Sequence, residues 1–139
     1  MTWIEDRFPN LDRVEITSPV DNAYNCVAWA AEDTSAWWTH HLGYHWPDYA
    51  PRTAFVVGLI AVFEGMGYEQ CDSADLEPSY EKVALYARRD LWTHAARQLD
   101  DGSWTSKLGE FQDIWHATPG CLAGLYYGDV YCIMRRPRR

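Results

Sequence analysis

The segment THAARQLDDGSWTSKLG, residues 93–109, constrains the fold more than any other stretch of the chain. Two runs of strand character flank Asp100-Asp101-Gly102. A three-residue hairpin loop of that composition is a type I turn followed by a residue in the left-handed region, which glycine enters without steric cost. This loop pairs Leu99 with Ser103 and Gln98 with Trp104, and continues to Ala96 opposite Ser106 and His94 opposite Leu108. Side chains alternate across a sheet, so His94, Ala96, Trp104 and Ser106 share one face. The turn therefore predicts an imidazole with a small hydroxyl as its diagonal neighbour. A loop one residue longer or shorter would put them on opposite faces.

Around this hairpin the signals fall into two halves. Asn25 is a good N-cap, and a helix is expected from there through Val27 to about Asp33. The aromatic, Gly- and Pro-containing stretch SAWWTHHLGYHWPDYAPR reads as an ordered loop. TAFVVGLIAVFEGMG is an apolar, buried helix ending at Gly65 or Gly67. YEKVALYARR alternates as a strand, TPGCLAGLYYG holds a helical turn, and GDVYCIMRR is a final strand. Helices first and antiparallel strands after them predict an α+β domain. The 139 residues suit one domain with its own core. Residues 1–20, punctuated by Pro9 and Pro19, read as an irregular N-terminal segment, and 135–139 as a basic tail.

Charge narrows the partners. The net charge is −8, and the terminal RRPRR holds four arginines, so the other 135 residues carry −12. Such a surface repels phosphates, which argues against nucleic acid and for a basic protein partner. The longest apolar run, AFVVGLIAVF, is about half of what a bilayer requires, so no membrane association is expected. The start has no basic region followed by an apolar one, which points to a cytoplasmic protein or one exported without a Sec signal. Cys26, Cys71, Cys121 and Cys132 lack paired spacing and read as reduced thiols. His40, His41 and His45 lie in a loop broken by Gly43 and Pro47, so neither a metal nor another cofactor is expected.

Cys26 is the candidate nucleophile. In YNCVAWA it falls at the first turn of the expected helix, where the free N–H groups favour thiolate, lower the thiol pKa and can hold an oxyanion. His94 is the candidate base and Ser106 the candidate third residue, with Asp113 and His116 of FQDIWHATPG as alternatives. Trp37, Trp38 and Trp46 could stack on a sugar or peptide side chain, Lys107 could bind a carboxylate, and Asn25 stands beside the nucleophile.

YNCVAWA followed by THAARQLDDGSWTSKLG resembles the papain-like fold amidases of the NlpC/P60 and CHAP type. With LEPSYEKVALYA, DIWH and YGDV, the likeness is closer to an uncharacterised bacterial domain family of that kind and covers roughly residues 22 to 135. The resemblance implies a papain-like single domain with N-terminal helices packed on a C-terminal antiparallel sheet. It also implies Cys26 as nucleophile, His94 as base and the third residue at Ser106, where NlpC/P60 enzymes usually carry His, Asn or Gln. The function then expected is a cysteine hydrolase, an amidase or peptidase, cleaving an amide or isopeptide bond of a peptide, peptidoglycan fragment or protein through a Cys26 thioester. Deamidase and acyl-transferase chemistry share that intermediate. The alternative is a binding or immunity-type module that keeps the fold without turnover.

Overall fold

The protein is described by a computed structural model covering residues 3–138. Three helices, α1 (Trp3–Arg7), α2 (Cys26–Ala30) and α3 (Val56–Gly65), accompany seven strands and a 3-10 turn at Pro119–Leu122. The strands are β1 (Glu15–Ser18), β2 (Glu69–Cys71), β3 (Tyr80–Arg88), β4 (Leu91–Gln98), β5 (Trp104–Lys107), β6 (Asp113–His116) and β7 (Asp129–Pro137). They form one sheet in the order β1-β6-β5-β4-β3-β7-β2, and every pairing is antiparallel.

The long strand β3 lies between β4 and β7 and is buried on both faces over 82–87. Its alternation sorts the core into two layers. Val83, Leu85 and Ala87, with Ala95 of β4, meet α2 and α3 on one face. Ala84 and Tyr86, with Ala96, Trp104 and Ile114, meet Ile4, Phe8, Leu122 and Tyr127 on the other. The expected turn is present: Gly102 has φ 91°, the Leu99 N–H donates to the Ser103 carbonyl, and Gln98 pairs with Trp104.

The fold class expected from the sequence is overturned. Only 18% of the described residues are helical against 34% strand, so this is a β-rich fold and not a papain-like α+β domain of N-terminal helices on a C-terminal sheet. The helix expected from Asn25 to about Asp33 stops at Ala30, because Glu32 turns left-handed (φ 63°) and the chain leaves the helix axis. Residues 1–20, expected to be irregular, contain α1 and the edge strand β1, which pairs with β6. The terminal arginines are not a solvated tail. Arg135 and Arg136 belong to β7, where they bond Glu77 (2.6 Å) and Glu81 (2.7 Å), and Arg138 pairs with Asp100 at 3.0 Å. Arg139 lies outside the described residues.

Candidate functional site

Three neighbours seat Cys26. Asn25 caps α2: its Oδ1 accepts from the N–H of Ala28 (3.2 Å) and of Trp38 (3.1 Å), and its Nδ2 donates to the Trp38 carbonyl at 2.6 Å. Trp29, one turn on, stacks on Tyr24 and donates its indole N–H to Thr105 Oγ1 at 3.0 Å. Cys26 is thereby pressed against β4 and β5 with 7% of its surface exposed. Burial pushes its thiol up to about 11. The N–H groups of Ala95, Val27 and Cys26 itself, and the charge of Lys107, pull the other way without winning. The lowered pKa expected at a helix start is therefore corrected: a five-residue helix supplies too little field to offset desolvation.

On the opposite face of the sheet, His94, Ser106 and His116 form a buried chain. His94 Nε2 and Ser106 Oγ are 2.9 Å apart, Ser106 Oγ and His116 Nε2 2.8 Å, and His116 Nδ1 and the Thr118 carbonyl oxygen 2.8 Å. All three side chains have no exposed surface. A carbonyl only accepts, so His116 Nδ1 carries hydrogen. Burial lowers the His116 pKa to about 4, so near neutral pH its Nε2 is bare and accepts from the Ser106 hydroxyl. The serine has one proton to give, so its oxygen accepts from His94 Nε2–H. One carbonyl thus sets every proton in the chain, and His94 Nδ1 is left as a bare acceptor. Burial, and then the neighbouring His116, hold the His94 pKa well below the usual histidine value. Nδ1 is buried and has no hydrogen-bond partner among the described residues.

The two halves meet where β4 and β5 separate. Odd-numbered residues of β4 aim their N–H groups at β5, as Leu99 does, but the β4–β5 ladder is confined to Arg97–Thr105 and Gln98–Trp104. The Ala95 N–H is released from the ladder and lies near enough to the Cys26 sulfur to favour its thiolate. The thiol thus contacts the residue next to His94, although Sγ forms no hydrogen bond with Nδ1 in this state. Tyr127 bridges them: its ring stacks on His94 (centroids 4.1 Å apart, planes at 10°), and its phenol feels the Cys26 charge. Gly128 makes that placement possible, since at φ 77° an added Cβ would fall 2.3 Å from the Ala87 carbonyl oxygen.

A cavity of about 350 Å³ opens at Cys26. Thr93, Trp37 and Tyr127 line it beside the sulfur, and Trp3, Phe111 and Tyr126 continue the wall, with Glu110 as the charged lining residue. Of the residues expected to touch substrate, Trp37 alone borders this cavity. Trp38 is buried and donates to Asp33 Oδ2 at 2.8 Å, while Trp46 donates to the Pro51 carbonyl and stacks on Trp92. Asn25 is committed to capping. Lys107 is wholly buried, bonded to the carbonyls of Asp21 and Gly109 and set 4.8 Å over Tyr24, so it cannot meet a substrate carboxylate. Asp113 accepts from the Tyr24 phenol at 3.2 Å, and His116 reaches His94 only through Ser106. Among the described residues no group of three or more His, Cys, Asp or Glu could hold a metal ion.

Sequence reasoning missed Tyr127, Thr93 and Glu110. The signal for Tyr127 was the aromatic pair before Gly128 in YYGDV; nothing local marked the other two. No helix among the described residues is long and apolar enough to cross a membrane. Residues 15–135 match a family model described as a domain of unknown function, DUF7689. No curated protein and no solved structure matches the chain.

Proposed function

Since the chain belongs to the DUF7689 family, whose description assigns no activity, we propose from the site itself that it is a cysteine-dependent acyl-transfer enzyme, an amidase or peptidase in its simplest form. One observation carries this reading: a buried imidazole is held in the tautomer that leaves Nδ1 bare and unpaired, and Tyr127, which stacks on that imidazole, lines the same cavity as Cys26. Burying an imidazole nitrogen without a partner costs about 1–3 kcal/mol, and a strongly perturbed titratable group close to a cavity marks a candidate functional position.

In this reading Cys26 rests as a thiol. When an acyl group enters the cavity, Nδ1 takes the Sγ proton as sulfur bonds to the carbonyl carbon. Nδ1–H then protonates the leaving amine, and a thioester remains on Cys26. Water, deprotonated by Nδ1, attacks the thioester, and the proton returns to sulfur. Ser106 and His116 stay outside the bond changes and hold the His94 ring in its tautomer.

A binding module without turnover is the second reading, favoured by the raised thiol pKa and by the missing Sγ–Nδ1 hydrogen bond. An activated ester separates the two. Exposed to p-nitrophenyl acetate, the enzyme of the first reading acquires one acetyl group on Cys26 by intact mass and peptide mapping. Cys26→Ala abolishes the adduct and His94→Gln slows it by about 100-fold. A protein acetylated no faster at Cys26 than at Cys71 is not a thiol acyltransferase.

A further inference from the structure

The Cys26 cavity shares lining residues with several neighbouring hollows. Glu110 and Phe111 are shared with a hollow of about 480 Å³ that continues past Val20, Asp21 and Asn22. Tyr126 is shared with one of about 300 Å³ that continues past Asp6, Pro9 and Leu125. Together they make an open trough across the nucleophile, not a closed pocket. Its two ends carry strongly exposed aliphatics, Val20 at 58% and Leu125 at 97%. A trough with separate apolar stations suits an extended chain with side chains at intervals better than a compact metabolite.

Acids outnumber bases along it. Glu110 lines the central cavity and the hollow past Asp21, and Asp6 lines the hollow past Leu125. The only cation among the lining residues is Arg7, whose guanidinium sits 4.6 Å over the Tyr126 ring and 5.9 Å from Trp3. Lys107, wholly buried, faces Asp113, its cross-strand partner, and is felt in turn by Asp21 and Glu110. The chain already lays one of its own guanidinium groups on this wall, because aromatic faces attract cations. The central cavity is lined by the same kind of groups: Trp37 and Phe111, with Glu110 as its charged residue.

We infer that the trough takes an extended polypeptide, and that the central cavity receives an arginine or lysine side chain next to the bond attacked, with Glu110 as its counter-charge. The peptide preference stands on the trough alone; that a bond is attacked rests on the reading of Cys26 given above.

Binding to the full chain carrying Cys26→Ala tests the preference without turnover. Capped, fluorescently labelled alanine peptides with a central arginine, norleucine or glutamate are compared by anisotropy. The arginine peptide is expected to bind about tenfold more tightly than the norleucine peptide, as one charge-assisted contact supplies, and the glutamate peptide most weakly. Glu110→Gln, an exposed substitution, should erase the arginine advantage and leave norleucine binding unchanged. Equal affinity for arginine and norleucine, an advantage that survives Glu110→Gln, or no binding of any peptide would overturn the inference. Because this variant cannot form a thioester, these outcomes are independent of the acetylation experiment, so failure of either reading is seen separately.

Discussion

Acid should unfold this protein through its histidines, and the loss can be worked from His116. Burial holds that imidazole at about 4, against about 6.5 in an unfolded chain. Between those values the unfolded state binds a proton that the native state refuses, so stability rises with pH across the window. The contribution is fully present above the unfolded value and is lost as pH falls through it towards the native value. From about pH 7 to about pH 5 the linkage amounts to about 2 kcal/mol for His116 alone. His94, whose pKa is lowered by burial and by the charge His116 would carry, adds loss in the same direction.

Carboxylates also titrate on the way down, so the measurement is a difference. Urea unfolding followed by tryptophan fluorescence at both pH values, for the wild type and His116→Gln, isolates the histidine. Glutamine can accept from Ser106 through its amide oxygen but does not titrate. The wild type should lose about 2 kcal/mol more than the variant over the same interval. Equal losses would mean that His116 is not neutral and buried in the native state, and the proton order assigned to His94 would fall with it.

Two further outcomes follow from the same geometry. Ser106→Ala strands His94 Nε2–H and His116 Nε2 in a dry interior, so it should cost about 2–4 kcal/mol by urea unfolding, more than one hydrogen bond is worth; a cost below about 1 kcal/mol would show that the serine is not the link. Cys26, pushed up to about 11 by burial, should be alkylated by iodoacetamide at a rate that rises about tenfold per pH unit above neutrality; a plateau near neutral pH, read by peptide mapping, would reveal a resting thiolate and contradict the buried thiol.

What could be read from the sequence was whatever depended on neighbours along the chain. The Asp100-Asp101-Gly102 turn dictates a register by its own stereochemistry, and His94 beside Ser106 is a direct consequence. The long strands β3 and β7 have enough residues to display a period. The strands β1, β2 and β6 have four, three and four residues, and a period of two cannot declare itself in so few. Those short strands are half of what turned an expected helix-then-sheet domain into a wide antiparallel sheet. The other half is Glu32, which cuts α2 short in a segment whose composition favours helix.

The site was legible in part, for a related reason. That Cys26 begins a helix can be inferred from Asn25, but its pKa is decided by how much of the sheet covers it, and that is a tertiary quantity. The covering reverses the sign expected from the helix alone, because a five-residue helix in contact with β4 is mostly interior and its field competes with full desolvation. The same burial that raises the thiol lowers both imidazoles, so thiol and base are both neutral at rest. An ion pair would keep the nucleophile charged and reactive towards any electrophile that reached it. Under the proposed acyl-transfer reading, a neutral pair would limit reaction to ligands that fill the cavity. Selectivity, under that reading, would then be a property of the dry interior around Cys26 and His94 as much as of the walls that touch the ligand.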